Sequence, residues 1–291
     1  MMEIVVISGK GGTGKTSIAA SLAFMASQQT VLADCDVDAA DLHLILHPRI
    51  LHREDFYSGV KAVIDTEACS ACDLCRQRCR FAAITNSDAA YAVDPLACEG
   101  CGYCHQLCPS QAISLVDCKV GECYRSQTKL GNLLIHARLE IGADNSGKLV
   151  ARVKKEAQQA AESEAMQYIL VDGSPGIGCP VISSLSGADY ALIVTEPTLS
   201  GLHDLQRVWE LASSFGLRLG CIINKSDLNP QLAVRIANFL QQKGITLVEE
   251  LPYDDDFQQA ITLGKSLVEI DPGKWQSRFQ TIFDKITKET R

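Results

Sequence analysis

The fold of this 291-residue chain is decided by residues 3–20, EIVVISGKGGTGKTSIAA. A short apolar run leads into a loop rich in glycine, and the loop leads into a segment of helix-forming residues. Residues 9–16 match G-x-x-x-x-G-K-[ST], a phosphate-binding loop that connects a strand to a helix. Its glycines let backbone N–H groups curl around the phosphates of a nucleotide. The stretch therefore predicts a nucleotide-binding α/β domain.

Individual residues of the loop have distinct expected roles. Lys15 is expected to neutralise the β- and γ-phosphates, and Thr16 to offer its hydroxyl to Mg²⁺. A purely structural glycine turn is the alternative, but the preceding strand and the following helix favour phosphate binding. The residues expected to bind ATP here are Gly9, Lys10, Gly11, Gly12, Thr13, Gly14, Lys15, Thr16 and Ser17.

Apolar runs of strand length recur along the chain. TVLADCD follows the first helix, and a helical segment near residue 148 precedes the runs YILVDG, YALIVTEP, GCIINK and ITLVEELP. Such strands, separated by segments of helix length, indicate a mostly parallel sheet with helices on both faces. The pattern stops between about residues 60 and 118. We therefore predict a P-loop domain in two parts, 1–59 and 119–291, with an inserted domain at 60–118.

The inserted segment contains an internal repeat built around cysteine. The pattern C-x2-C-x2-C-x3-C begins at Cys69 and again at Cys98, 29 residues later. The same shift relates Asp65 to Asp94, Ala83 to Ala112 and Ile84 to Ile113. Cysteines at this spacing are poorly placed to pair with one another and well placed to bind one inorganic centre. The segment is therefore expected to be a duplicated metal-binding module.

The two cysteine runs resemble those of bacterial two-cluster ferredoxins. In that pattern three cysteines of a run bind one [4Fe–4S] cluster and the fourth binds the other cluster. The resemblance implies a small α+β domain with one cluster on Cys69, Cys72, Cys75 and Cys108 and a second on Cys98, Cys101, Cys104 and Cys79. Zinc is the alternative, because thiolates suit both metals. Two complete runs with duplicated flanks favour iron–sulfur clusters.

Lys10 points to a particular group of P-loop proteins. In the form KGGTGKT it resembles the deviant Walker A motif of MinD/ParA-type ATPases, which are related to Mrp and the nitrogenase iron protein. The resemblance implies ATP hydrolysis and an ATP-dependent homodimer in which Lys10 reaches the nucleotide of the other subunit. It identifies Lys10, Lys15 and Asp36 as the catalytic residues.

Further motifs match this group in order and spacing. VLADCDVDAADL resembles its switch I, which implies that Asp36 positions the attacking water and lies near Mg²⁺ with Thr16. YILVDGSPGIG resembles Walker B and switch II, with Asp172 holding a water on Mg²⁺. IINKSD and LPYDDDF resemble the segments that contact adenine, which implies roles for Asn224, Pro252 and Tyr253. Asp41 departs from the group, where Asn is usual.

Composition limits the partners. A net charge of −8 argues against nucleic acid, which requires a basic face. No apolar run is long enough to span a membrane, and the start of the sequence does not resemble a signal peptide. With metal-ligand spacing of the cysteines, these features predict a cytoplasmic protein in a reducing environment. The C-terminal stretch WQSRFQTIFDKITKETR could anchor to a membrane surface, but its few basic residues favour a helix docked on the sheet.

Two features outside the main motifs leave alternatives open. Arg76, Arg78 and Arg80 could raise a cluster potential or bind an acidic redox partner, although a solvated face is the commoner meaning. Cys179 follows Asp172 by seven residues, which resembles the placement of a cluster ligand in the nitrogenase iron protein. A packing cysteine is the favoured interpretation, because no second cysteine matches.

Together the motifs predict an ATP-hydrolysing redox protein of the kind found chiefly in anaerobic prokaryotes. ATP binding would close a homodimer and control electron transfer from the inserted domain to an unidentified redox partner. An iron–sulfur assembly or carrier ATPase is the second hypothesis, with an iron–sulfur acceptor as its partner. A spatial organiser that uses ATP only as a dimerisation switch is the third.

Overall fold

The computed structural model describes residues 1–87, 90–140, 142–143 and 145–288. Within these residues the strands are β1 (Met2–Ser8), β2 (Thr30–Asp34), β3 (Arg49–Ile64), β4 (Ile84–Ser87), β5 (Ala90–Val93), β6 (Ile113–Gln127), β7 (Leu133–Leu139), β8 (Tyr168–Pro175), β9 (Tyr190–Thr195), β10 (Arg218–Ile223) and β11 (Thr246–Glu250). The helices are α1 (Lys15–Met25), α2 (Leu42–Leu46), α3 (Leu74–Arg78), α4 (Tyr103–Leu107), α5 (Ser146–Ser163), α6 (Cys179–Leu185), α7 (Leu199–Ser213), α8 (Pro230–Lys243), α9 (Asp256–Leu263), α10 (Leu267–Ile270) and α11 (Pro272–Lys288).

The chain forms two compact units. The first comprises Met1–Glu54, Glu122–Leu139 and Ser146–Arg291, and the second comprises Asp55–Gly121 and Glu140–Asn145. The predicted inserted domain, 60–118, falls within the residues of the second unit. The assignment of that unit as a ferredoxin domain stays a prediction.

The large sheet has the strand order β11-β10-β9-β1-β8-β2-β7-β6-β3. The pairs from β11 to β7 are parallel. The predicted mostly parallel α/β sheet is therefore confirmed. Its register aligns Asp34 with Asp172 on one side and with His136 on the other. Three polar residues consequently lie in one row near the carboxyl ends of β8, β2 and β7, where open α/β sheets bind their ligands.

The C-terminal helix α11 belongs to the hydrophobic core. Trp275, Phe279, Ile282 and Ile286 are fully buried in the same cluster as residues of α1 and the central strands. The indole N–H of Trp275 donates to Asp256 Oδ2 at 2.7 Å, so its polar atom is also satisfied. The docked helix is therefore confirmed. None of the helices in the described part of the chain combines the length and apolar character that crossing a membrane requires.

The second unit has a duplicated backbone. The bounds of α3 and α4 differ by 29 residues, the shift that relates the two cysteine runs. The amide of Asp65 donates to the carbonyl of Ala112, and the equivalent amide of Asp94 donates to the carbonyl of Ala83, both at 2.7 Å. Each bond joins one repeat to the other, so the repeats exchange contacts as two-fold-related halves do.

We expect Phe279→Ala to lower the free energy of unfolding by about 3–5 kcal/mol, because a fully buried aromatic ring leaves a cavity. Gln276→Ala on the exposed face of the same helix is the control, with a change below ~0.5 kcal/mol. Denaturant unfolding followed by circular dichroism measures both. Equal midpoints for the two variants would show that α11 contributes no core packing.

Candidate functional site

The glycine loop lies between the end of β1 and the start of α1. Gly14 has a φ of +90°, and a Cβ added to it would lie 2.5 Å from Asn224 Nδ2. That amide donates to the carbonyl of Thr13 at 2.8 Å. A Cβ on Gly9 would lie 2.5 Å from Asp204 Cβ in α7. Gly14 is therefore required by its backbone conformation and Gly9 by the close approach of α7, as the motif predicts.

Lys15 is the centre of a buried ionic group. Its Nζ lies 2.6 Å from Asp172 Oδ1 and 3.6 Å from Asp36 Oδ2. Burial alone would lower the pKa of Lys15, but the negative charges of Asp172 and Asp36 raise it above its usual value. The ammonium is consequently held charged at the head of α1, where the predicted phosphates would lie.

Asp34 fastens the loop that carries Asp36. Its fully buried carboxylate accepts N–H bonds from Asp36 at 3.1 Å and from Leu42 at 3.3 Å, on either side of the loop 36–41. Burial raises the pKa of Asp34 well above its usual value, and the negative charge of Asp172 adds to this effect. Burial likewise raises the pKa of Asp36, which Lys15 offsets only in part.

The residues around Lys15 suit Mg²⁺. Asp172 Oδ2 and Thr13 Oγ1 are buried, and neither has a hydrogen-bond partner within the described residues. An unpartnered carboxylate oxygen beside a nucleotide loop matches the oxygen ligands and bound waters that Mg²⁺ prefers. The adjoining cavity has a volume of about 330 Å³ and is lined by Ser8, the loop residues 11–17, Asp36, Ala39, Asp41, Leu44, Ile45, Pro175 and Ile261.

The residues predicted to contact adenine do not line this cavity. Asn224 is buried, and its amide is engaged with the carbonyl of Thr13 as described above. Tyr253 is half exposed, and its backbone N–H donates to Asp227 Oδ1 at 2.6 Å. The adenine roles of Asn224, Pro252 and Tyr253 therefore stay predictions.

Lys10 bonds within its own chain. Its Nζ lies 2.7 Å from Glu196 Oε1 and donates to Thr198 Oγ1 at 3.2 Å. The other oxygen of Glu196 receives Lys225 Nζ at 2.9 Å, and that ammonium also donates to the carbonyl of Gly12 at 3.1 Å. Burial opposes ionisation of Glu196, but the two lysines lower its pKa below the usual value.

Sequence reasoning missed Glu196 and Lys225. Both follow strands that the sequence did predict, β9 and β10, which pair in the sheet. The carboxyl ends of neighbouring parallel strands meet at one edge of a sheet. The available signal was therefore a charged residue after VT, at the end of β9, and another after IIN, at the end of β10.

The cysteines of the second unit line two cavities. One is lined by Cys69, Cys72, Cys75 and Cys108 together with Asp73, Tyr91 and neighbouring residues. The other, of about 660 Å³, is lined by Cys75, Cys79, Cys98, Cys101 and Cys104 together with Arg78, Arg80 and neighbouring residues. Within the described residues, however, no group of three or more His, Cys, Asp or Glu side chains is arranged to hold one metal ion. The cluster assignments therefore stay predictions, and the geometry offers no single-ion zinc site in this part of the chain.

The remaining charged and thiol groups are also placed. Arg76 donates to both oxygens of Asp73 at 2.6 and 2.7 Å in an exposed ion pair, and its expected role at a cluster or a partner stays a prediction. Cys35 and Cys221 are fully buried, and burial raises the pKa values of their thiols. Cys179 is exposed at the start of α6, so the favoured interpretation of this residue as a packing cysteine is wrong.

Comparison with known proteins identifies one family model and several relatives. The model of the CobQ/CobB/MinD/ParA nucleotide binding domain matches residues 4–268. The protein MJ0578 of Methanocaldococcus jannaschii is 35% identical over 234 residues, which cover 79% of this chain and 80% of that protein. The putative septum site-determining protein MinD of Oltmannsiellopsis viridis is 26% identical over 276 residues, covering 91% of this chain and 68% of that protein.

A solved structure shows the same fold. The septum site-determining protein MinD from Pyrococcus horikoshii, complexed with Mg-ADP, aligns with a TM-score of 0.58 at 18% identity. The alignment covers 99% of this chain and 96% of that chain. At this identity the likeness establishes the α/β P-loop fold alone.

We expect Lys15→Met to weaken binding of a fluorescent ATP analogue by ~10- to 100-fold, because it removes charge-assisted bonds to the phosphates. Lys155→Met, at an exposed position of α5, is the matched control and should bind as wild type. Fluorescence titration with Mg²⁺ present measures both affinities. Unchanged binding by Lys15→Met would remove this lysine from the nucleotide site.

Proposed function

This chain belongs to the CobQ/CobB/MinD/ParA nucleotide-binding family, and we propose that it hydrolyses ATP with Mg²⁺ to control electron transfer through two [4Fe–4S] clusters. The observation that carries the ATPase half is the meeting of Lys15, Asp36 and Asp172 beside a cavity lined by the glycine loop. The redox half is supported by the two cysteine-lined cavities of the second unit.

Hydrolysis would use the buried ionic group directly. When phosphates enter the loop, Lys15 exchanges its bond with Asp172 for bonds to the β- and γ-phosphates. The carboxylate of Asp172 and the hydroxyl of Thr16 are the groups that would hold Mg²⁺, which would supply positive charge to neutralise the phosphates. Asp36, on the loop fastened by Asp34, accepts a hydrogen bond from the attacking water and orients it towards the γ-phosphate.

Dimerisation would release Lys10 from Glu196. A lysine that leaves a partly buried carboxylate normally leaves an uncompensated charge, which opposes the change. Here Lys225 also contacts Glu196, so the carboxylate keeps one cation after Lys10 has moved. This arrangement supports the proposal that Lys10 contacts the nucleotide of a second copy of this chain in the ATP-bound dimer.

The cysteine cavities support cluster binding by their composition. The smaller cavity is lined by three cysteines of the first run and the last cysteine of the second run, as the two-cluster pattern requires. The larger cavity contains the reciprocal set and also Cys75. The four cysteines of a cube each bind a different iron, so they need not converge on one point as the ligands of a single ion do. Bound clusters would supply one-electron transfer to a redox partner.

A spatial organiser is the second candidate function. The observation that favours it is the similarity of the whole ATPase region to proteins described as septum site-determining MinD. In that case ATP would switch the chain between monomer and dimer, and the redox state of the second unit would not matter.

We expect ATP with Mg²⁺ to convert wild type to a dimer, while Lys10→Ala stays monomeric and hydrolyses ATP ~10³-fold more slowly, as for loss of a cation supplied in trans. Lys155→Ala is the control and should dimerise normally. Light scattering after size exclusion and phosphate release measure the two properties. A Lys10→Ala dimer with normal hydrolysis contradicts the proposed interface role.

We expect anaerobically purified protein to contain ~8 iron and ~8 sulfide per chain, as two [4Fe–4S] clusters require. Cys101→Ala should lose about half of each, while Cys221→Ala, which removes a thiol from the core of the first unit, should lose none. Metal analysis and electron paramagnetic resonance of the reduced protein measure this. Zinc in place of iron would refute the redox half.

Coupling has its own test in the same preparation. The rate at which oxidised methyl viologen reoxidises the reduced clusters should differ between ATP, ADP and no nucleotide. Equal rates in all three, with dimerisation intact, would favour the spatial organiser. Movement of clusters to an apo-ferredoxin acceptor would favour the iron–sulfur carrier.

A further inference from the structure

Three aromatic rings form a stack between α2 and the strands β6 and β7. His136 lies in the middle, with its ring centroid 6.1 Å from that of His43 and 4.9 Å from that of Tyr124. The interplanar angles are 9° and 20°, so all three rings are nearly parallel. We call these three residues the ring stack. None of the motifs that define the nucleotide site includes it.

The centre of the ring stack is fixed more firmly than its outer ring on α2. His136 is 7% exposed, and its Nε2 lies 2.9 Å from the hydroxyl of Ser126, which is fully buried in β6. Burial, with a smaller contribution from His43, lowers the pKa of His136 to about 4. The central ring is therefore neutral at physiological pH and packs without electrostatic repulsion from His43.

His43 is the less secure member. Its Nδ1 is buried and has no hydrogen-bond partner within the described residues. A buried ring nitrogen without a partner is unfavourable, so this position of α2 is weakened by its own packing. Displacing the ring of His43 would therefore break no hydrogen bond at Nδ1 within the described residues.

The ring stack adjoins the nucleotide site through Asp34. His136 is aligned with Asp34, and Asp34 with Asp172, across three neighbouring strands. Asp34 also accepts the N–H of Leu42, the residue immediately before His43. The start of α2 is therefore held from two directions, by a carboxylate of the nucleotide site and by the ring of His136.

We propose that the ring stack is a positioning device that transmits movement of α2 to β6 when nucleotide binds. The inference rests on the proposed function, because it needs the loop 36–41 to respond to ATP and Mg²⁺. A shift of that loop moves α2, and the displaced ring of His43 pushes on His136 and through it on Tyr124. Tyr124 and Ser126 belong to β6, which begins at Ile113 immediately after the second cysteine run. The stack thus connects switch I with the strand that continues from the cysteine-containing segment, and His136 is its central positioning residue.

Hydrogen–deuterium exchange of the full-length protein tests this directly. Wild type is compared with and without a non-hydrolysable ATP analogue and Mg²⁺, and exchange is followed for peptides covering 36–46 and 113–127. We expect both segments to respond in wild type. In His136→Ala the segment 36–46 should still respond and the segment 113–127 should not. The affinity of this variant for the analogue should stay within about twofold of the wild-type value.

Conservative variants test whether the aromatic ring of His136 or its hydrogen bond to Ser126 carries the response. His136→Phe keeps an aromatic ring of similar size and should keep the response of 113–127, and Ser126→Ala should keep it as well. His52→Ala, an exposed histidine on β3, is the matched control and should behave as wild type. His43→Ala removes the outer ring and should lose the response of 113–127, which provides a second variant if His136→Ala does not fold.

The outcomes distinguish this inference from the proposed function. A normal response of 113–127 in both His136→Ala and His43→Ala, or no response there in wild type that binds the analogue, overturns the ring stack as a transmitter. In either case ATP binding and hydrolysis by wild type still support the proposed ATPase. If wild type binds no analogue by calorimetry, the proposed function fails and the inference fails with it.

Discussion

The structure depends on one buried electrostatic constraint, the accumulation of three carboxylates around a single lysine. Asp34, Asp36 and Asp172 meet near the carboxyl ends of neighbouring strands, and Lys15 is the cation that contacts two of them. Burial is the main cause that raises the pKa values of Asp34 and Asp36, and the surplus negative charge of the neighbouring carboxylates adds to it. A divalent cation would relieve that surplus, and it would allow Lys15 to turn to the phosphates. The arrangement of these carboxylates therefore suits a divalent cation.

How much of the fold and of the site could be predicted from the sequence depends on how far apart in sequence the interacting residues lie. The loop 9–16 and the strand before it are local features, so their conformation follows from glycine content and apolar pattern. The location of α11 in the core also followed from one apolar face with few basic residues. The pairing of Lys10 with Glu196 and the ring stack did not, because each joins segments far apart in sequence through strand order and register. The apolar pattern of residues 119–147 does not place them in the sheet, yet the register of β7 puts His136 beside Asp34. The motif assigns Asn224 to adenine, which stays a prediction, and the structure adds that its amide donates to the carbonyl of Thr13 in the glycine loop.

Glu196 binds two lysines that differ in exposure and in their other contacts. Lys10 is about one-third exposed, so its bond to Glu196 is partly screened and adds little stability by itself. Lys225 contacts both Glu196 and the carbonyl of Gly12, and so it ties the carboxylate to the loop whether or not Lys10 is present. The two lysines therefore differ in their contacts: Lys225 joins Glu196 to the glycine loop, whereas Lys10 joins it to Thr198 and Ser200.

The second unit combines a symmetric backbone with unequal charges. The exchanged bonds of Asp65 and Asp94 show that the two repeats have the same backbone contacts. The 29-residue shift nevertheless replaces Asp73 by Gly102 and Arg78 by Leu107, so the repeats differ in charge where they begin and end their short helices. Asp73 lines the smaller cysteine cavity, whereas Arg78 and Arg80 line the larger one. Positive charge stabilises added electrons and negative charge opposes them. Two clusters with equivalent ligands would therefore occupy unequal fields, because Arg78, Arg80 and Glu99 line one cavity and Asp73, which is paired with Arg76, lines the other.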